Sequence, residues 1–241
     1  MRLDEYLAFS ALAPSRSRAK ALIVSGAVTV NGKTIRKPAF FVSEEDAVTV
    51  SSSFRYVSRG GEKLAAALAA FSVSCEGRVV LDIGASSGGF TDCARQNGAA
   101  LVYAVENGHG QLAESLLADP AVISMEHYNA RCLQRTDFSP IPTLAVMDVS
   151  FISQTLILPA LAEVLPAGGE LISLIKPQFE AGRSAVGRGG LVRREEDRRS
   201  AIARVVASAG TCGFSHRGVI VSPILGGDGN VEYLSYFVKE V

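Results

Sequence analysis

Four charged residues carry the first chemical hint. Lys63 lies in Tyr56-Val57-Ser58-Arg59-Gly60-Gly61-Glu62-Lys63-Leu64, just ahead of a helical stretch. Asp148 follows the apolar run Leu144-Ala145-Val146-Met147. Lys176 follows Leu171-Ile172-Ser173-Leu174-Ile175 and precedes Pro177. Glu232 opens a last strand after Gly229-Asn230. An apolar run that ends in a charge reads as a buried parallel strand, with the charge at the carboxyl-end rim where open α/β sheets bind ligands. Taken singly, each of these residues is half of an ordinary ion pair. Two ammonium and two carboxyl groups converging on one rim could instead orient a substrate group and take a proton from it.

The second hint is a strand end and loop, Asp82-Ile83-Gly84-Ala85-Ser86-Ser87-Gly88-Gly89-Phe90-Thr91-Asp92, at the close of the strand run 79–84. Its glycines allow a sharp turn and a close approach to a ligand. Glu106 ends the next strand, 24 residues after Asp82, where a carboxylate can take both ribose hydroxyls of a nucleoside. NAD and S-adenosylmethionine both fit that geometry. An acid at Asp92 in the first helical turn suits a sulfonium with an amino-acid tail better than a diphosphate, which prefers a bare helix N-terminus.

These residues need a scaffold. Strand runs at 79–84, 101–105, 122–125, 144–147 and 171–175 alternate with helical runs at 90–97, 111–118, 154–164 and 194–208. Such alternation predicts an α/β fold, a doubly wound sheet with helices on both faces. Runs 217–222 and 231–239 have no helix between them, so the last strand is expected to pair antiparallel. Residues 193–199, Arg-Arg-Glu-Glu-Asp-Arg-Arg, read as a solvated helix start with internal charge pairs. The stretch 182–190 is glycine-rich and basic, and reads as a mobile loop beside Lys176: a phosphate clamp through Arg183 and Arg188, or a plain surface loop.

The chain has 241 residues, 24 Lys+Arg against 24 Asp+Glu, and 48% hydrophobic residues. That is ample for a packed core. The zero net charge hides an asymmetry: residues 1–63 hold ten Lys/Arg and six Asp/Glu. A basic module on an acidic body suggests a polyanionic partner, although a solvated surface would look the same. Leu3, Tyr6 and Leu7 fall at helical spacing. Ser15 or Ser17 can cap a second helix that shows Arg16, Arg18 and Lys20 to solvent, and Gly26 ends it. Residues 27–33 read as a strand closed by an Asn31-Gly32 turn, and 46–50 as a second strand. The four cysteines form no Cys-x-x-Cys pair and the three histidines show no ligand spacing, so reduced thiols and no metal are expected. No apolar run approaches the ~18 residues of a membrane span. The start MRLDEYLAF lacks a signal-peptide layout, and a cytoplasmic location is expected.

Two resemblances gather these readings. The stretch SRSRAKALIVSGAVTVNG, followed by Lys37-Pro38, resembles the alpha-L RNA-binding domain of ribosomal S-four type over residues 1–50. It implies binding to structured RNA through Arg2, Ser15, Arg16, Arg18, Lys20, Asn31, Lys33 and Lys37, with Arg59, Arg183 and Arg188 added from the second module. YVSRGGEKL, LDIGASSGGFTD, MDVSFIS, LIKPQFE and SPILGGDGNVEYL together resemble the TlyA family, which joins that domain to an FtsJ-like methyltransferase.

The resemblance implies a Rossmann-like sheet, domains at 1–55 and 63–241 with a linker at 56–62, and S-adenosylmethionine-dependent 2′-O-methylation of a cytidine ribose in ribosomal RNA. It assigns the catalytic set to Lys63, Asp148, Lys176 and Glu232. It assigns the donor site to Asp82, Gly84, Ser86, Ser87, Gly88, Gly89, Phe90, Glu106, Asn107, Asn129, Arg131 and Asp148. Glu106 stands where the family more often has Asp, and Arg194 where an acid is expected. Lys176 is the candidate base and acts only when neutral, whereas free Lys sits near pKa ~10.4. The short chain ends resemble the family's shorter form and imply a large-subunit rRNA target. The expected partner is ribosomal RNA or a ribosomal subunit, not DNA, with no stable membrane insertion. The sequence is silent on oligomeric state. Two other classes compete: a non-catalytic RNA-binding or assembly protein, and a membrane-active haemolysin. The first must ignore four charged rim residues. The second needs an amphipathic or spanning segment, and Pro159 between two strands marks 154–164 as a core helix.

Overall fold

The computed structural model describes residues 1–13, 15–50 and 55–240, and the chain divides into two compact units, 1–55 and 56–241. Pro14 at the head of the basic stretch, and residues 51–54 near the expected first domain end, lie outside the described residues.

The first unit contains α1 (Leu3–Phe9), α2 (Arg16–Ser25) and a three-stranded antiparallel sheet of β1 (Val28–Val30), β2 (Lys33–Thr34) and β3 (Val48–Val50), in the order β2-β1-β3. Ser15 is the cap of α2, its hydroxyl accepting the Arg18 N–H at 3.2 Å. Gly26 ends the helix in the left-handed conformation. Asn31 and Gly32 both have positive φ, the requirement of the tight hairpin between β1 and β2. The third strand starts later than expected because Asp46 is a turn residue: its carboxylate accepts the Asn31 side-chain N–H at 2.6 Å and the Ser43 N–H at 2.8 Å. Leu3, Leu7, Ile23 and Val28 form the small core.

The second unit runs α3 (Gly60–Phe71), β4 (Val79–Ile83), α4 (Gly89–Gln96), β5 (Leu101–Val105), α5 (Glu114–Leu117), β6 (Val122–Met125), β7 (Leu144–Met147), α6 (Leu158–Val164), β8 (Glu170–Ile175), α7 (Pro177–Glu180), α8 (Glu195–Thr211), β9 (Phe214–Val221) and β10 (Tyr233–Lys239). Its seven-stranded sheet has the order β6-β5-β4-β7-β8-β10-β9. The first five are parallel, and β10 is antiparallel to both β8 and β9. This is the expected α/β sheet with an antiparallel last strand. Strand side chains alternate between faces. Val80, Leu144 and Val146 pack under α3 and α4 through Leu64, Leu68, Phe90 and Cys93. Leu81, Ile83, Ala145 and Met147 pack against α6 and α8 through Leu158, Leu161, Val205 and Ala209. Strands covered on both faces must be apolar throughout, which is why their sequences read as unbroken runs.

Strand order reverses between β4 and β7, so the crevice lies beyond their carboxyl ends. The segment 56–62, expected as a linker, groups with the second unit: Tyr56 is buried in the α3–α4 core and Gly60 already begins α3. The expected helix at 111–118 shrinks to Glu114–Leu117, since Gln111 accepts the Ser86 hydroxyl at 3.2 Å and the chain before it follows the crevice wall.

Candidate active site

Two cavities open at the reversal point. The larger, about 680 Å³, is bounded by Gly84, Ser86, Glu106, Asn107, Asn129, Arg131 and Asp148 among others. The smaller, about 260 Å³, is bounded by Arg59, Lys63, Ser87, Gly89, Phe90 and Lys176. They share the wall made by Gly84, Ser86, Asp148 and Ser150.

Two glycines make that wall possible. Gly84 has φ +83, and a Cβ there would stand 2.6 Å from the Asp148 carbonyl oxygen. Gly88 has φ +91, and a Cβ would overlap Leu116. A side chain at Gly84 would meet backbone and push the β4 loop off β7, while at Gly88 the positive φ itself would strain any other residue.

Glu106, at the end of β5, closes the far side. Its carboxylate accepts the Ser86 N–H at 2.9 Å and the Gly108 N–H at 2.8 Å. Two backbone donors leave lone pairs free for a further hydroxyl. Asn129 accepts the Arg131 N–H at 3.1 Å, which turns both residues along the larger cavity.

The expected donor residues thus divide. Gly84, Ser86, Glu106, Asn107, Asn129, Arg131 and Asp148 line the larger cavity, while Ser87, Gly89 and Phe90 line the smaller. Asp82 and Gly88 are in the lining of neither. Asp82 lies under the loop, fully buried, and accepts the Thr91 hydroxyl at 2.6 Å. Burial, with Asp148 and Glu106 nearby, pushes its pKa up to about 7 against the pull of the Thr91 hydroxyl.

The four charged residues resolve into two pairs. Lys63, on α3, donates to Glu232 Oε2 at 2.5 Å, and both are buried. The Lys176 ammonium stands 2.7 Å from Asp148 Oδ1 and donates to the Ser150 hydroxyl at 2.7 Å. Lys63, Asp148 and Lys176 border the smaller cavity, and Glu232 reaches it through Lys63. Ser150, part of the same run of residues as Asp148, was not singled out in the sequence.

Two other unanticipated residues stand out. Phe151 is 93% exposed at φ +63, with its ring 5.2 Å from that of Phe179. Asn230, buried two residues before Glu232, accepts the Val192 N–H and donates to the Gly190 carbonyl, both at 2.9 Å, and so ties down one end of the basic loop.

The expected RNA contacts also divide. Lys20, Lys33 and Lys37 are exposed, and Arg18 is half-buried. Arg2 and Arg16 pair with Asp4, at 2.9 and 3.1 Å, and Arg16 also with Glu5 at 2.9 Å. The Arg2 guanidinium, helped by Arg16, holds the Asp4 carboxyl down at about 2 against the opposing effect of burial. Arg16 thereby joins α2 to α1, while Arg2 closes the first turn of α1. Asn31 serves the hairpin, accepting the Ala47 N–H at 2.8 Å. In the second unit Arg59, Arg183 and Arg188 are exposed. Arg59 borders the smaller cavity, and Arg183 a separate hollow of about 480 Å³ with Phe151, Gln178 and Phe179.

Comparison with known proteins gives the same division of the chain. Residues 56–239 match the FtsJ-like methyltransferase family and residues 1–48 the S4 domain. The chain is 43% identical over 234 residues to the 16S/23S rRNA (cytidine-2′-O)-methyltransferase TlyA of Mycobacterium tuberculosis, covering 96% of this chain and 87% of that one. It is 42% identical over 239 residues to Hemolysin A of Brachyspira hyodysenteriae, covering 99% and 100%. A solved structure from Streptococcus thermophilus that carries a hemolysin name aligns with a TM-score of 0.80 and 44% identity, over 100% of this chain and 88% of that one. An S4 domain followed by an FtsJ-like methyltransferase, with relatives of this identity along nearly the whole chain, makes this protein a member of the TlyA family of methyltransferases.

Proposed function

We propose that this protein moves the methyl group of S-adenosylmethionine to the 2′-hydroxyl of a cytidine ribose in ribosomal RNA of the large subunit. The observation that carries the reading is the shared wall: the Asp148–Lys176 pair stands where the two cavities meet. One cavity is then the donor site and the other the entry for the acceptor ribose.

The donor site fits its group. About 680 Å³ is within the usual range for a small-molecule pocket. The Glu106 carboxylate would take the donor ribose hydroxyls, Asn129 and Arg131 would flank the adenine, and the loop from Gly84 to Ser87 would carry the amino-acid tail. When bound, S-adenosylmethionine supplies a methyl already activated by its sulfonium.

The chain's own work is alignment and proton removal. A ribose hydroxyl is a poor nucleophile until it loses its proton. Lys176 Nζ, in its neutral form, takes that proton from the 2′-oxygen, while Asp148 and Ser150 fix the nitrogen that receives it. Lys63 borders the acceptor cavity and, held from behind by Glu232, orients the ribose. Holding oxygen, carbon and sulfur in line within about 3–3.5 Å accounts for much of the rate. The S4 domain, with Lys20, Lys33 and Lys37 exposed, would bring structured RNA, and ribosomal RNA implies a cytoplasmic site of action.

Among the described residues no helix is long and apolar enough to cross a membrane. The test is to map ribose methylation in rRNA from cells with and without the gene, and to titrate the purified protein with S-adenosylmethionine by calorimetry. A cytidine that loses its 2′-methyl in the deletion strain supports the reading. Unchanged rRNA with no donor binding refutes it. Donor binding with unchanged rRNA moves the substrate elsewhere.

A further inference from the structure

The short segment from Lys176 to Glu180 holds the loop after β7 at two separate points. At one end Lys176 meets Asp148 and Ser150. At the other, Glu180 Oε1 accepts the Gln154 N–H at 2.8 Å and Oε2 accepts the Ser153 hydroxyl at 2.6 Å. The Gln154 side chain carries the connection into β8: its Nε2 donates to the Leu174 carbonyl at 2.6 Å, and the Ser173 hydroxyl donates to its Oε1. Glu180, Gln154 and Ser173 are all buried.

We propose that Glu180 is a positioning residue for methyl transfer: by fixing residues 153–154 it sets where Asp148 and Ser150 meet the Lys176 ammonium.

The physical case has three steps. First, a buried carboxylate is costly unless compensated, and none of the ion pairs among the described residues involves Glu180. Arg204 donates to the Glu180 backbone carbonyl at 3.1 Å, not to the carboxylate. Both carboxylate oxygens instead go to the loop, so holding the loop is what the buried group does. Second, a lysine on a four-carbon stem follows its partners rather than placing them. Asp148 is already held by its N–H on the Ile83 carbonyl at 2.9 Å, but contact with Lys176 alone would let Val149 and Ser150 drift. Third, Lys176 precedes and Glu180 ends one turn of helix, α7, so the two grips have a fixed spacing. The loop between them, with exposed Phe151 in the left-handed conformation, is held at both ends against one rigid piece.

The inference rests on the proposed methyl transfer, and its test separates the two. Single-turnover transfer from labelled S-adenosylmethionine to ribosomal subunits of a strain lacking the gene is measured beside donor affinity by calorimetry. Glu180→Ala is expected to slow transfer about 100-fold, the scale of a 1 Å misplacement, with donor Kd within about twofold of wild type. Glu180→Gln can still accept the Gln154 N–H and donate to Ser153, and should restore most of the rate. If Glu180→Ala does not fold, Ser153→Ala, which leaves the buried amide paired, should slow transfer about tenfold with donor Kd unchanged. An active wild type with Glu180→Ala at wild-type rate, or with Ser153→Ala at wild-type rate where Glu180→Ala does not fold, overturns the positioning role alone. So does a loss of donor affinity that parallels the loss of rate. A wild type that transfers no methyl overturns the parent reading, and this one with it.

Discussion

Two lysine–carboxylate pairs stand in the same unit, and they are built differently. In Lys63–Glu232 the side chains are 10% and 2% exposed, and the pair closes on itself at 2.5 Å. In Lys176–Asp148 they are 12% and 21% exposed, and the ammonium is shared with the Ser150 hydroxyl. The first lies behind one cavity, and the second stands at the wall between two. A sealed pair is suited to fixing chain segments 169 residues apart. An open pair, with an ammonium served by a neutral partner as well as a charged one, is suited to exchanging a proton with something that enters. The difference teaches which lysine to break first.

Removing the open pair's nitrogen should have the largest effect. Lys176→Ala is expected to lower transfer by about 10⁴-fold, the upper range for loss of a general base, with donor affinity retained. Measurable transfer near the wild-type rate would remove Lys176 as the base and erase the contrast. The sealed pair should answer in stability as well as rate. Glu232→Ala strands a buried ammonium, and a loss of about 3–5 kcal/mol in denaturant unfolding is expected. The double variant Lys63→Met/Glu232→Leu removes both charges and should regain most of that stability. If it also regains methyl transfer, the sealed pair is scaffold only. If stability returns without activity, its charges orient the acceptor.

A third carboxyl sharpens the contrast because it has no cation. Asp82 is buried under the glycine loop, with one oxygen on Thr91 and its pKa up at about 7. A carboxyl whose folded value lies above its ordinary ~3.9 favours the folded state in its protonated form. Its contribution is therefore complete below pH ~4 and is lost as pH rises through about 7. Asp82→Asn stays neutral throughout. Its stability relative to wild type should climb from pH 4 to 7 and then level off, by roughly 4 kcal/mol if the full shift is realised. A difference flat with pH would mean that Asp82 is charged and paired in the folded protein.

Much of this was legible beforehand, for a physical reason. Strands covered on both faces must be apolar, so 79–83, 101–105 and 144–147 could be bounded almost to the residue. Positive φ leaves a signature too, at Asn31-Gly32 and at Gly84. What could not be read was which polar group meets which. Nothing local in Lys63 names Glu232, and nothing in Arg2 or Arg16 shows that Asp4, a helix acid in sequence, is their buried partner. Asp82 read as a donor contact because it precedes the glycine loop, yet its side chain turns inward to Thr91. Glu180 stands in the sequence only as the last letter of LIKPQFE, and only tertiary structure shows it buried and bonded to Gln154. The basic loop 182–190 read as mobile, and the backbone on either side of Leu191 is held by Asn230, forty residues on.

The smallest expected effect tests the periphery of the same comparison. Arg183 is exposed and lines the hollow formed with Phe151, Gln178 and Phe179. If it meets an RNA phosphate, Arg183→Ala should weaken RNA binding uniformly across sequences and lower the slope of log affinity against log salt by about 1. Donor affinity and the rate at saturating RNA should stay near wild type, since the arginine touches neither pair. Lys176→Ala should do the reverse, leaving the salt slope within error while removing transfer. A salt slope unchanged by Arg183→Ala would leave RNA capture to the exposed lysines of the S4 unit, and would make the hollow a surface feature rather than part of the acceptor path.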